Sequence, residues 1–101
     1  MELSGNSVTY RRQGKRGVLT LSGVIDIFEA ANLHAVGLKA LNDKRAETLC
    51  IHLEQVTRLD LSAIQLLMAL RRDSEQAGQA CEVIAAPETV TASLAQGGFF
   101  L

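Results

Sequence analysis

His34, His52, Cys50 and Cys81 are the side chains of this 101-residue sequence best suited to hold a metal, yet none has a companion His, Cys or carboxylate at ligand spacing. His34 falls in the apolar stripe of a helical segment and His52 in an apolar strand, so both read as structural. The cysteines lie apart in ETLCIHL and ACEVIAA without a CxxC spacing, and read as reduced thiols packed as small hydrophobes. Asp43, Glu47 and Glu54 stand near strand ends, where a carboxylate could move protons, but no nucleophile or base is paired with them. Gly97-Gly98 opens no helix and precedes no Lys-Ser or Lys-Thr, so it is not a phosphate-cradling loop. The expectation is a chain with no catalytic residues, no metal site and no cofactor.

The remaining chemistry is that of helix starts. Asp26 can cap a helix beginning at Ile27, and Asp60 or Ser62 can cap one beginning at Leu61. A hydroxyl in a helix's first turn also lies where backbone amides and the helix dipole favour an added phosphate, which makes Ser62 a candidate modification site. The helix after Asp60 can pack on a sheet through Ala63, Leu66, Leu67, Leu70 and Ala77 alone, yet Leu61, Ile64 and Met68 project toward another side. Either a neighbouring element covers that second apolar strip or it is an interface.

The elements that must position these residues follow from periodicity. SVTYRRQ (7–13) and KRGVLTLS (15–22) alternate as two strands about a turn at Gly14. A helix from Ile27 to about Asn42 places Ile27, Ala30, Leu38 and Leu41 on one face, with Leu33 at its edge. Thr48 to Leu53 forms a continuous apolar strand of the kind covered on both faces, and the loop EQVTRLD follows. A second helix spans Leu61 to Ala77 and stops at Gly78, and QACEVIA (79–85) is the last strand. Pro87 suits the first turn of a final helix, PETVTASLAQ, carrying Val90 and Leu94 before Gly97-Gly98 ends it; Phe99, Phe100 and Leu101 form an apolar plug on the core or a tail that finds a partner. The order is that of an α/β fold: a mixed β-sheet of about four strands with three to four crossover helices.

Length and composition agree with one domain. The 48% hydrophobic content supplies a single core, and a net charge of -1 without a basic cluster gives no reason to expect nucleic acid or direct insertion into a membrane. No apolar run reaches the roughly 20 residues of a membrane span, and the N-terminus lacks a secretory pattern, so a cytoplasmic location is expected.

Three segments, LTLSGVIDIFEAANL, LCIHLEQVTRLDLSAIQLLMAL and AAPETVTASLAQGGF, together resemble the STAS family over about residues 18–100. The resemblance implies a single STAS domain over residues 1–101, with a Gly-x-x-Asp turn at Gly23 and Asp26 leading into the first helix. It also implies that the turn before the second helix is the docking site. Phosphorylation-controlled relatives carry Asp-Ser-(Ser/Thr)-Gly there; this chain reads Asp60-Leu61-Ser62-Ala63. Leu61 has no hydroxyl to take phosphate, and Ser62 stands at the second hydroxyl position.

The resemblance therefore implies a regulatory protein-docking module like the anti-sigma-factor antagonists of bacterial partner switching, without the usual phospho-acceptor. Its expected partner is an anti-sigma factor or serine-kinase-like protein, contacted through Asp26, Asp60, Leu61, Ser62, Ile64 and Met68. The segment also looks like chemotaxis-associated STAS proteins and like the small STAS subunit of lipid-transporting ABC systems, both scaffolds. A third expectation is a nucleotide or small-ligand sensor with a pocket near Asp60, because ligands of open α/β sheets gather at the carboxyl ends of strands.

Overall fold

The computed structural model describes residues 2–4, 7–84 and 88–96. Its elements are β1 (Glu2–Ser4), β2 (Val8–Gln13), β3 (Arg16–Ile25), α1 (Ile27–Leu41), β4 (Thr48–Leu59), α2 (Leu61–Gln76), β5 (Ala80–Ile84) and α3 (Glu88–Gln96). The strands form one mixed sheet in the order β1-β2-β3-β4-β5, antiparallel over the first three and parallel from β3 to β5. The mixed α/β sheet with crossover helices is the one expected; β1 adds a strand before the anticipated hairpin.

Two β-α-β units running β3 to β4 to β5 in one direction place α1 and α2 on the same face, because such crossovers are right-handed. The helices accordingly pack on each other and on the sheet, with α1 against β2 and β3 and α2 against β4 and β5. Gly37 of α1 faces Leu70 of α2, and a side-chain carbon there would stand 3.4 Å from Leu70 Cδ1, an ordinary contact distance. Strand residues Val8, Tyr10, Leu19, Leu21, Leu49, Ile51 and Leu53 meet Leu33, Val36, Ala40, Ala63, Ile64, Leu67 and Leu70 in one core. Each large aliphatic side chain buried there contributes about 1.5–3 kcal/mol.

Three expectations are corrected. The segment read as the loop EQVTRLD continues β4 to Leu59, and its polar residues Glu54, Gln55, Thr57 and Arg58 are the exposed positions of a strand that bulges against β3. Gly23, expected in a turn, is a β3 residue at that irregularity; its φ of +72° is one that glycine reaches without strain. The core face of α1 is Leu33, Val36, Gly37 and Ala40, turned by about one residue's 100° from the expected face. Ile27 and Leu38 are exposed as a result, while Ala30 and Leu41 are half-buried.

Gly78 ends α2 as expected, at φ +81°, with its N–H donated to Glu75 O and that of Gln79 to Ser74 O. Ala77, placed on the apolar stripe from the sequence, is exposed beside it, and Ser74 holds the buried position one turn earlier. Pro87, Gly97-Gly98, Phe99, Phe100, Leu101 and the side chain of Val90 lie outside the described residues, whereas Leu94 of α3 is fully buried in the core.

Candidate functional site

The parallel strands β3 and β4 end side by side, with Ile25 paired to Leu59, and each leads at once into a helix. The next backbone N–H, that of Asp60, donates to Ile25 O at 3.0 Å and locks the two exits together. Asp26 and Asp60, the N-cap residues of α1 and α2, therefore stand at one carboxyl edge of the sheet.

Their side chains do different work. Asp26 Oδ1 accepts from the backbone N–H groups of Phe28 (3.0 Å) and Glu29 (3.1 Å), which fixes the start of α1. Asp60 makes no side-chain cap; its carboxylate instead stands 3.5 Å from Arg58 Nε, across a half-exposed ion pair. Ser62 is half-buried in the first turn of α2.

The apolar strip on α2 is split. Leu61 is 58% exposed and Met68 39%, but Ile64 is 3% exposed and belongs to the core. Helical geometry gives the reason: Leu61 and Met68, seven residues apart, are nearly superposed along the axis, whereas Ile64 is turned some 60° from Leu61. Its side lies toward Leu67 and Leu70, so Ile64 is withdrawn from the expected contact surface.

Three residues missing from that expectation join the same edge. Phe28 is 86% exposed, Ile27 67% and Val24, at the end of β3, 43%. No sequence signal singled out Phe28, because the apolar residues of α1 run most of the way round its axis and periodicity alone does not say which of them the sheet leaves out. The edge thus carries Ile27, Phe28 and Leu61 around Asp26 and Asp60.

Elsewhere the polar groups serve structure. Tyr10 donates to Asp43 Oδ2 at 2.8 Å, Asp43 Oδ2 also lies 3.2 Å from Arg12 Nε, and burial together with the Asp43 carboxylate pushes the Tyr10 phenol well above its ordinary range. The Ser74 hydroxyl donates to Gln79 Oε1 at 2.7 Å while Gln79 Nε2 donates to Ala46 O at 2.9 Å, tying the end of α2 to the loop before β4. Cys50 and Cys81 are free thiols; burial raises both, Cys81 to about 11. His34 is exposed on α1, and His52 Nδ1 lies 3.2 Å from Glu54 Oε1. Among the described residues, no cluster of three or more His, Cys, Asp or Glu could hold a metal ion. Three cavities lie between α1 and α2, beside the loop before β4, and near Thr20 and His52; Asp60, Leu61 and Ser62 line none of these three. No helix among the described residues is long and apolar enough to cross a membrane.

A family model described as "Mlab, STAS domain" matches residues 8–99. The chain belongs to the STAS-domain family. Solved STAS-type structures are similar in fold. An anti-sigma factor antagonist from Mycobacterium paratuberculosis superposes at a TM-score of 0.80 with 20% identity, over 95% of this chain and 83% of that one. The anti-sigma factor antagonist SpoIIAA of Bacillus, in its unphosphorylated form, gives 0.77 with 17% identity over 91% and 81%. The STAS domain of a SulP transporter from Vibrio cholerae gives 0.64 with 19% identity over 87% and 67%. No curated protein sequence matches the chain. At these identities the STAS structures show the fold.

Proposed function

We propose that this STAS domain is a regulatory docking module whose carboxyl edge, through Asp26, Asp60, Leu61, Ser62 and Met68, engages a protein partner of the anti-sigma-factor or serine-kinase-like type. The observation that carries the reading is Leu61: a large apolar side chain in the first turn of α2, 58% exposed, where burial would have been the favourable outcome. Its position is the one at which phosphorylation-controlled relatives place their acceptor hydroxyl, so association here is not switched at residue 61. Ser62, one residue on, is the remaining hydroxyl of that turn and the site at which a kinase partner would act.

A constitutive scaffold, as in the chemotaxis or transporter assemblies that contain STAS domains, is the second reading. It is favoured by the same leucine, because a permanent apolar contact needs no hydroxyl. Incubation with ATP and the serine kinase encoded nearest to the gene separates the two. One added phosphate, lost in Ser62→Ala, supports partner switching; stable binding to that kinase without added phosphate supports the scaffold. Absence of binding to the kinase, with Leu61→Arg behaving as wild type toward every neighbouring gene product, would sink the docking reading itself.

A further inference from the structure

The cations of the chain gather away from the carboxyl edge, whereas its acids are spread over both ends, with Asp43, Glu47, Asp73 and Glu75 lying among those cations. Of its ten Lys and Arg residues, Arg58 is the one at the carboxyl edge. The others lie on the β2–β3 hairpin, on the loop before β4 and in the later turns of α1 and α2, toward the opposite end. The carboxyl edge carries Asp26, Glu29 and Asp60. The positive ends of α1 and α2, roughly +0.5 charge each, offset part of this without reversing it.

The edge is therefore acidic and apolar together, with Phe28, 86% exposed, as its most prominent side chain. Such a surface repels a polyanion, which removes nucleic acid and anionic lipid as occupants. An acidic partner would meet like charge across the rim, at a cost in affinity and in association rate.

Resting on the docking reading above, we propose that the partner's face is an apolar pocket or groove rimmed by Lys and Arg, and that Phe28 with Ile27 is the anchor that enters it while Asp26 and Asp60 meet the basic rim. The Asp60–Ile25 hydrogen bond joins the strand exits from which Ile27 and Phe28 on one side and Leu61 on the other begin their helices, so a partner seated on this edge meets both helix starts. Aromatic anchors of this exposure in a polar surround are the side chains that dominate interface energies. The acidic rim contributes chiefly to encounter rate and partner choice.

The test needs no identified partner. The 15N-labelled chain is titrated with two synthetic helical peptides of about 18 residues, long enough to populate a helix, sharing one leucine face and carrying Lys or Glu on the other. The Lys peptide is expected to shift the amides of Val24 to Glu29 and of Leu61 and Ser62, with affinity falling as salt rises from about 50 to about 200 mM. Phe28→Ala should weaken it about tenfold, the usual loss on truncating an anchor. The double change Asp26→Asn, Asp60→Asn keeps a capping side chain at residue 26 and should flatten the salt dependence. Equal binding of the Glu peptide, shifts confined to the β2–β3 hairpin, or no shift with either peptide would each overturn the assignment. Those outcomes bear on the partner's chemistry alone; the Leu61→Arg comparison judges the docking reading independently.

Discussion

The backbone N–H of Asp60 donates to the carbonyl of Ile25 at 3.0 Å, and this one bond sets the start of α2 beside the start of α1. Asp26 and Asp60, 34 positions apart in sequence, thereby share one edge, and the helix starts that carry the exposed Ile27, Phe28 and Leu61 lie side by side. Hydrogen-bonded strand ends hold both helix starts, and a surface arranged in advance reduces the ordering cost of association.

Contact and stability should separate on α2. Leu61→Arg is expected to leave stability within about 0.5 kcal/mol, because the side chain is largely solvated, and to weaken partner binding about tenfold or more. Ile64→Ala should instead cost about 2–4 kcal/mol by opening a cavity beside Leu67. Urea unfolding of both variants, read with a binding titration, checks the pair.

The two helix caps should also differ. Asp26→Ala removes the acceptor for two backbone N–H groups and should destabilise by about 1 kcal/mol. Asp60→Ala removes no capping bond and should shift stability by less than about 0.5 kcal/mol. Thermal unfolding of the two variants in parallel would show whether the caps are as unequal as the hydrogen bonds.

The sheet and its helices were readable from periodicity because alternating and continuous apolar runs report directly on burial. The hairpin about Gly14, the strand starting at Thr48 and the stop at Gly78 follow from that logic. Two features were not readable. The second half of β4 has polar residues at Glu54, Gln55, Thr57 and Arg58 because it bulges, and a bulge breaks the period-two signal. The core face of α1 was ambiguous because IFEAANLHAVGLKAL is apolar around most of its circumference, and contact with β2 and β3 selects Leu33, Val36 and Ala40. The exposure of Phe28 was unreadable for the same reason, and Ile64 read as part of the strip because a turn of some 60° from Leu61 is enough to carry it into the core.

Alkaline conditions should destabilise the fold. Cys81 is raised by burial from 9.0 to about 11, so the unfolded chain loses its proton first as pH rises. The stabilising difference is complete below about pH 9 and is lost as pH climbs through about 11, with Cys50 acting in the same direction. Cys81→Ala should flatten that limb of a stability-against-pH curve; an unchanged slope would place the dependence elsewhere.

Tyr10 should be felt as a polar contact and as a steric one. Tyr10→Phe leaves Asp43 with Arg12 but removes a 2.8 Å hydrogen bond to a charged acceptor, an expected loss of about 1.5–3 kcal/mol. Gly17→Ala would put a carbon 2.6 Å from the Tyr10 hydroxyl oxygen and 2.9 Å from Cε1, and should cost about 1–3 kcal/mol by overpacking. If denaturant midpoints of both variants matched wild type, Tyr10 would not be anchored as described.

Hydrogen exchange of the chain with and without its bound partner tests the docking claim most directly. Protection gained at residues 24–29 and 60–64, with the β2–β3 hairpin unchanged, is the expected map. Protection centred on the hairpin and the loop before β4, with Phe28 and Leu61 exchanging as in the free chain, would contradict it.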